Sequence, residues 1–404
     1  MVFKTTSVVI DDYASVMHES FNKITTNIVA TETKITASDA AADDFFGESV
    51  AVGSGRIVVG AYGNDDNGSN SGSAYIFDLD GNQIAKITAS DGAASDYFGI
   101  SVAIGSGRIV VGAYNNDDNG SNSGSAYIFD LDGNQIAKIT ASDAAEGDSF
   151  GWSVAVGSGR IVVGASFNDD NGVNSGSAYI FDLNGNQIAK ITASDGAAND
   201  LFGQSVAIGS GRIVVGAYLD DVNGSFSGSA YIFDLNGNQI AKITASDGAG
   251  NDLFGWSVAV GSGRIVVGGY GNDDNGSNSG SAYIFDLDGN QLAKITASDG
   301  AANDLFGRAV AIGSGRIVVG ARSDDDNGSD SGSAYIFDLD GNQIAKITAS
   351  DGAVDDNFGI SVAVGSGRIV VGARFNDDNG VNSGSAYIYK IDETFDVYIE
   401  GIIN

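Results

Sequence analysis

The sequence predicts an all-β fold, a seven-bladed β-propeller built from four-stranded antiparallel blades. Three observations carry that prediction. First, a 52-residue unit recurs without insertion or deletion, its Phe-Gly pair standing at Phe46-Gly47, Phe98-Gly99, Phe150-Gly151, Phe202-Gly203, Phe254-Gly255, Phe306-Gly307 and Phe358-Gly359. A fixed period of this size marks an array of supersecondary units that bury their faces against one another. Second, each unit holds four short apolar segments separated by turn signals. Third, no segment of the unit has helical spacing. A β-solenoid is the competing architecture, and its shorter periods and lack of two hairpin turns per unit count against it.

Within the first unit, residues 49–52 form the first strand, and Gly53-Ser54-Gly55 supplies a tight turn. Residues 56–61 form the second strand. Its Ile57-Val58-Val59 run does not alternate, as expected of a strand covered on both faces. The polar loop 63–72 leads to a third strand over residues 73–79. Asp80-Gly81-Asn82 then turns the chain into a fourth strand over residues 83–89.

Phe-Gly at the start of the unit and Gly60-Ala61 after its second strand resemble the FG-GAP repeat, the blade unit of integrin α-subunit propellers and of bacterial and viral surface proteins. The resemblance covers about residues 30–391 and implies the propeller fold and a recognition role. Two features depart from it. The proline of the Gly-Ala-Pro signature is replaced by Tyr62, Tyr114, Ser166, Tyr218, Tyr270, Arg322 and Arg374. The calcium-binding hairpin of the integrin type is also missing, since only Gly-Ser-Gly joins the first two strands.

The repeat accounts for the 59 glycines as turn residues rather than as a low-complexity tract. A net charge of −32 repels phosphate backbones and argues against nucleic-acid binding. The sequence contains no cysteine, which excludes disulfides and thiolate metal sites. No apolar run reaches membrane-spanning length, so no membrane insertion is expected. The sole histidine, His18, lies outside the repeats, so no Ser/His/Asp triad can form on them. The carboxylates recur in every unit, whereas a two-carboxylate hydrolase needs one distinctive pair. Sialidase-like propellers combine an arginine cluster with Ser-x-Asp-x-Gly-x-Thr-Trp turns, and those turns are absent here. The expectation is a non-enzymatic protein with no required cofactor.

The chain divides into a non-repeating leader (residues 1–30), the propeller (31–392) and a C-terminal tail (393–404). The leader contains no signal-peptide core. A helix over residues 12–24 is plausible there, and the segment reads either as a flexible leader or as an attachment to other structural proteins. The seventh unit lacks the usual fourth strand, while Lys34-Ile35-Thr36-Ala37-Ser38 stands alone before the first Phe-Gly. The N-terminal strand, residues 33–38, is therefore expected to pair with residues 385–391 and close the ring. Residues 395–403 are the competing candidate for that outer strand.

Alternating strand directions place the loops after strands two and four on one face. That face carries nearly all the differences between units. Glu48, Ile100, Trp152, Gln204, Trp256, Arg308 and Ile360 follow the Phe-Gly pairs near the axis. The four tyrosines Tyr62, Tyr114, Tyr218 and Tyr270 replace the signature proline, as do Arg322 and Arg374. A constant scaffold with one diversified rim reads as a recognition surface; drift at exposed positions is the alternative. Arg308, Arg322 and Arg374 suit bidentate binding of carboxylate or sulfate, or else neutralise Asp324, Asp325, Asp326 and Asp330 nearby. Across the axis from them, Trp152 and Trp256 suit stacking on sugar rings. Asn115, Asp117 and Asn119 fill alternate positions of a possible calcium loop, but Ala126 stands where an EF-hand has its glutamate.

The function read from these features is recognition or adhesion at the surface of a virion (a phage above all) or a cell, with a host glycan or protein receptor as partner. A purely structural coat or appendage component and a secreted bacterial adhesin are the alternatives.

Overall fold

The structure, a computed structural model, describes residues 25–396, with side chains for residues 31–390. The helix expected over residues 12–24 lies outside the described residues. The first strand, β1 (Thr25–Ile35), is followed by a blade made of β2 (Val50–Gly53), β3 (Arg56–Ala61), β4 (Ser73–Phe77) and β5 (Gln83–Ile87). The same pattern recurs from β6 (Ser101–Gly105) to β25 (Gln343–Ile347), and the chain ends with β26 (Ser361–Gly365), β27 (Arg368–Ala373) and β28 (Ser385–Asp396). These strands form seven four-stranded antiparallel sheets, and no helix occurs among the described residues. The innermost strands pack side by side in sequence order, with β2 against β26, so the blades close into a ring. Val50, Ala51 and Val52 and their six sets of counterparts line the axial channel.

The core lies between blades. Val58, Ala74 and Ile76 of the first blade join Phe98, Val111 and Tyr127 of the second in one buried cluster. This is why Ile57-Val58-Val59 is apolar on both faces. Phe98 is wholly buried, its ring 5.4 Å from that of Tyr127 and 5.9 Å from that of Phe129. Its backbone bridges Gly72 of the preceding blade. A Cβ at Gly72 would stand 2.0 Å from the Phe98 carbonyl oxygen, and one at Gly60 1.9 Å from that of Gly99. Only glycine permits such backbone contact between blades.

Polar side chains stitch the equivalent seam between the seventh and first blades. The Tyr75 hydroxyl donates to Asp39 (2.9 Å), and Lys86 pairs with Asp39 (2.6 Å) and with Asp66. Gln83 clasps Ser38 of the neighbouring outer strand through both amide atoms, each at 3.0 Å.

At the closure, β1 pairs with β28 (Thr33 opposite Ile388, Lys34 opposite Tyr387), as the shared Lys-Ile-Thr-Ala-Ser implies. Lys34 takes the part of Lys86, pairing with Asp351 (2.7 Å) and Asp378, while the Tyr387 hydroxyl donates to Asp351. The register differs from every other blade. Elsewhere a bulge between the third and fourth strands, at Ile76/Phe77 in the first blade, brings Gln83 opposite Phe77. The β1–β28 ladder has no such shift, so Glu32 stands opposite Tyr389. Glu32 accordingly takes over the clasp, accepting the Ser350 hydroxyl (2.6 Å) and backbone N–H (3.2 Å) and the Tyr389 hydroxyl (2.9 Å).

Both strands also run on past the blade. β1 begins at Thr25, within the segment read as a leader, and Thr25 faces Asp396. Phe395 therefore belongs to the third strand of this blade, not to a competing outer strand; residues 397–403 lie outside the described residues. Because third strands run toward the Asp-Gly-Asn turns, the extra ladder emerges on the face opposite the diversified rim.

Two blades depart from the polar pattern. In most, a buried asparagine amide faces a buried aspartate, as Asn116 donates to Asp96 at 3.2 Å. Asp220 and Asp324 replace that asparagine, leaving two buried carboxyl groups near each other in blades four and six. Burial, with the charge of Asp324 adding to it, pushes Asp304 up to about 6. Burial and Asp220 likewise raise Asp200.

Two outcomes are expected from the scaffold. Removing residues 1–38 should lower the melting temperature sharply, and removing 393–404 should lower it far less; equal losses would contradict closure by β1. A folded-state pKa above the ordinary value costs stability as pH rises from about 4 through about 6. Asp324→Asn should therefore raise Tm by a few degrees above pH 6, with the gain vanishing below about pH 4, as checked by thermal melts across that range.

Candidate functional site at the mouth of the axial channel

One cavity of about 480 Å3 opens at the axis on the diversified face. All seven residues that follow the Phe-Gly pairs line it: Glu48, Ile100, Trp152, Gln204, Trp256, Arg308 and Ile360. Tyr62, Tyr97, Tyr114 and Arg374 complete the wall. Residues 52 positions apart on adjacent innermost strands become neighbours around the mouth, so the seven variable positions converge on one bowl.

An aromatic arc runs round this rim and across the closure seam. Phe375 meets Phe45 (5.9 Å between ring centres), which stacks on Tyr62 (5.1 Å). Tyr62 meets Tyr97 edge-on (5.7 Å), Tyr97 stacks on Tyr114 (5.5 Å), and Tyr114 meets Trp152 (4.7 Å). Trp152 also touches Phe167 (6.0 Å). The arc breaks at Gln204 and resumes with Tyr218, Trp256 and Tyr270, at 4.7 and 5.1 Å. Tyr218 and Tyr270 thus stand behind Trp256 and do not line the cavity themselves. Burial and the nearby Glu48 push the Tyr62 hydroxyl up to about 12, so it remains a neutral donor.

Phe45, Tyr97, Phe167 and Phe375 were not among the residues singled out from the sequence. Their signal was available, because they too vary from blade to blade at fixed repeat positions. Phe45 and Tyr97 precede the Phe-Gly pair with φ of 56° and 55°. This left-handed backbone costs about 1–2 kcal/mol for a side-chain-bearing residue. Backbone bonds from Tyr97 N–H to Asn70 (3.1 Å) and from Phe45 N–H to Asn382 (3.1 Å) hold it in place.

The three arginines have three different settings. Arg308 lies beside Trp256 rather than across the axis from it, its guanidinium 4.9 Å from the Trp256 ring centre and 5.5 Å from that of Tyr270. Arg374 pairs with Glu48 at 2.6 Å and covers Phe375 at 4.4 Å. Arg322 leaves the mouth altogether. It donates to Asn357 (2.9 Å) in a separate cleft of about 510 Å3, between the loops of blades six and seven. Burial, aided by the charges of Arg308 and Arg374, pushes Arg322 down to about 10, so it stays protonated at neutral pH. Neutralisation by the aspartates of blade six does not account for these residues as a group. Asp324 and Asp326 pair with Lys346, and Asp325 accepts the Asp330 N–H; of these four, Asp330 lines the cleft with Arg322, together with Asp355 and Asp377.

The loop holding Asn115, Asp117 and Asn119 closes on itself. Asp117 accepts the Asn122 N–H (2.8 Å), the Asn119 N–H donates to Ser123 (3.1 Å), and the intervening Asp118 pairs with Lys138. Every other blade commits the equivalent carboxylate in the same way, as Asp65 does with Asn70 and Asp377 with Asn382. Among the described residues, no group of three or more His, Cys, Asp or Glu side chains is placed to hold a metal ion. A melting temperature unchanged within a degree by a calcium chelator is expected; a clear drop on chelation would assign these loops to the cation.

Fold and site together define a closed seven-bladed propeller with an aromatic bowl on the axis, where seven variable positions meet. The chain belongs to the FG-GAP repeat family, whose repeat matches residues 29–77, 82–129, 134–181, 186–233, 238–285, 290–337 and 342–389. No curated protein matches the chain. Among the described residues, no helix is long and apolar enough to cross a membrane.

Proposed function

We propose that this protein is a non-enzymatic recognition propeller, displayed on the surface of a particle or cell and engaging its target through the mouth of the axial channel. The observation that carries the reading is the convergence of the variable positions. Blades nearly identical in their cores bring seven variable positions together in one bowl walled by tryptophan, tyrosine and arginine, side chains favoured where binding energy concentrates. The bowl has the volume of a small-ligand site, and it also suits one projecting group of a larger partner.

A host glycan or protein receptor fits this chemistry, and a virion, of a phage above all, is the proposed setting. The β1–β28 ladder supports that arrangement, since it leaves the ring on the face opposite the bowl and would carry residues 1–30 toward other structural proteins. A purely structural role competes with this reading because an aromatic rim also serves for packing against neighbours, and a secreted adhesin would use the bowl in the same way.

Attachment to the natural target surface separates these readings. The pair Trp152→Ala with Trp256→Ala should reduce attachment at least tenfold while the melting temperature stays within a few degrees. Arg308→Ala with Arg374→Ala tests the charged sector of the mouth in the same assay. If both pairs attach like the unmodified protein while folded, the bowl is not the recognition site.

A further inference from the structure

Resting on the reading of the mouth as the recognition site, we propose that Arg308 and Gln204 form a subsite for a single carboxylate-bearing sugar ring, flanked by Trp152 and Trp256. The mouth holds three charged side chains, and they do not cancel. Glu48, its one carboxylate, is engaged by Arg374 at 2.6 Å. Arg308 has no ion pair among the described residues, and its hydrogen-bonding neighbour is the Tyr270 hydroxyl. The bowl therefore carries one uncompensated positive charge at the centre of a chain with net charge −32.

Geometry narrows what can meet that charge. The guanidinium carbon sits 4.9 Å from the Trp256 ring centre and 5.5 Å from that of Tyr270, and the N–H groups that Tyr270 does not use are left for a ligand. Those groups match a planar carboxylate in bidentate fashion. Gln204 interrupts the aromatic arc and is 9% exposed, lining both the mouth and the channel beneath it. Its side-chain amide makes no hydrogen bond to another described residue. At the cavity wall this amide, with no protein partner of its own, supplies a donor and an acceptor to whatever fills the bowl, and sugar hydroxyls use both. The aromatic walls suit the C–H face of a pyranose, and about 480 Å3 accommodates one or two rings. The acidic body excludes a polyanion, so the ligand brings one charge and not a run of them. Burial holds the Arg308 pKa below its ordinary value, and an anion in the bowl would reverse that penalty.

The test is calorimetric titration of the full chain with a panel of glycans ending in glucuronate, galacturonate or a nonulosonic acid. Each is compared with its carboxyl-reduced, neutral counterpart. At least one acidic member should bind tenfold or more tightly than its neutral form. Arg308→Gln should abolish that preference, Arg308→Lys should restore only part of it, and Glu48→Gln, by freeing Arg374, should strengthen acidic binding severalfold. The subsite is overturned if no member loses affinity on reduction, or if Arg308→Gln keeps the preference. Loss of attachment in the tryptophan variants without any acid preference would remove the subsite and leave the recognition reading standing. Acid preference alongside unaffected attachment would keep the subsite and move the recognition surface elsewhere.

Discussion

Everything in this ring depends on a polar knot tied across each seam between blades. A buried tyrosine hydroxyl donates to an aspartate brought by the loop that enters the blade, and a lysine from the outer strand pairs with the same aspartate. Tyr127, Asp91 and Lys138 show it at 2.9 and 2.6 Å, and the lysine ammonium also sits 5.3 Å from the tyrosine ring centre. Leaving a buried hydroxyl without its acceptor costs about 1–3 kcal/mol, so the tyrosine requires the aspartate. The aspartate in turn needs the lysine, whose hydrogen bond and charge hold its carboxyl below the ordinary range against the penalty of burial. Each blade therefore completes its neighbour's hydrogen bonding as well as its apolar core. In the seventh, Lys34 supplies the missing cation, and the ring leaves no knot open.

Because the knots and the glycine contacts repeat in every blade, the scaffold tolerates little variation where blades touch. The mouth is different. Its side chains project from the ends of the innermost strands and from loops whose backbone is fixed by bonds to the preceding blade. Exchanging Trp256 or Arg308 disturbs neither the Phe-Gly wedge nor the lysine–aspartate pair. Stability and the variable mouth are thus assigned to separate residues, which is how seven near-copies can present five kinds of side chain at one point.

The fold was legible because its determinants are local and repeated. The constant period, the Phe-Gly pair, two hairpin signals per unit and the orphan Lys34-Ile35 strand define the blades and their closure. Glu32 was not legible. Its role follows from the absence of a bulge in one ladder, and nothing in Thr31-Glu32-Thr33 announces a register one residue out of step with Gln83-Ile84-Ala85. In the site, the residues after Phe-Gly were readable because strand order alone brings them together. Arg322 has a setting that could not be read from its repeat position alone. It occupies the same repeat position as Arg374, but blade seven offers it Asn357 where the first two blades carry Phe45 and Tyr97, and the side chain turns outward to that partner. The aromatic arc escaped notice because two of its four missed members stand before the motif, at a left-handed position where a bulky ring is not expected.

Charge distribution joins these parts. The acidic loops ring the outer part of the same face, while the lysines that could offset them are consumed by the knots. Among the described residues, the cations lining the mouth are Arg308 and Arg374, and Glu48 occupies the second. A strongly acidic body keeps copies of the protein apart, which favours dense display without self-association. It also repels extended polyanions before they reach the mouth. On the same proposal, what passes this barrier is a ligand with little charge of its own, which meets the Arg308 guanidinium beside Trp256 and Tyr270. A lone carboxylate there exchanges its hydration for a fixed bidentate partner in a poorly screened site, where the same contact is worth more than on the open surface. On the proposal of a carboxylate subsite, the acidity of the whole chain and the arginine at its axis would act together, one rejecting highly charged partners and the other selecting singly charged ones.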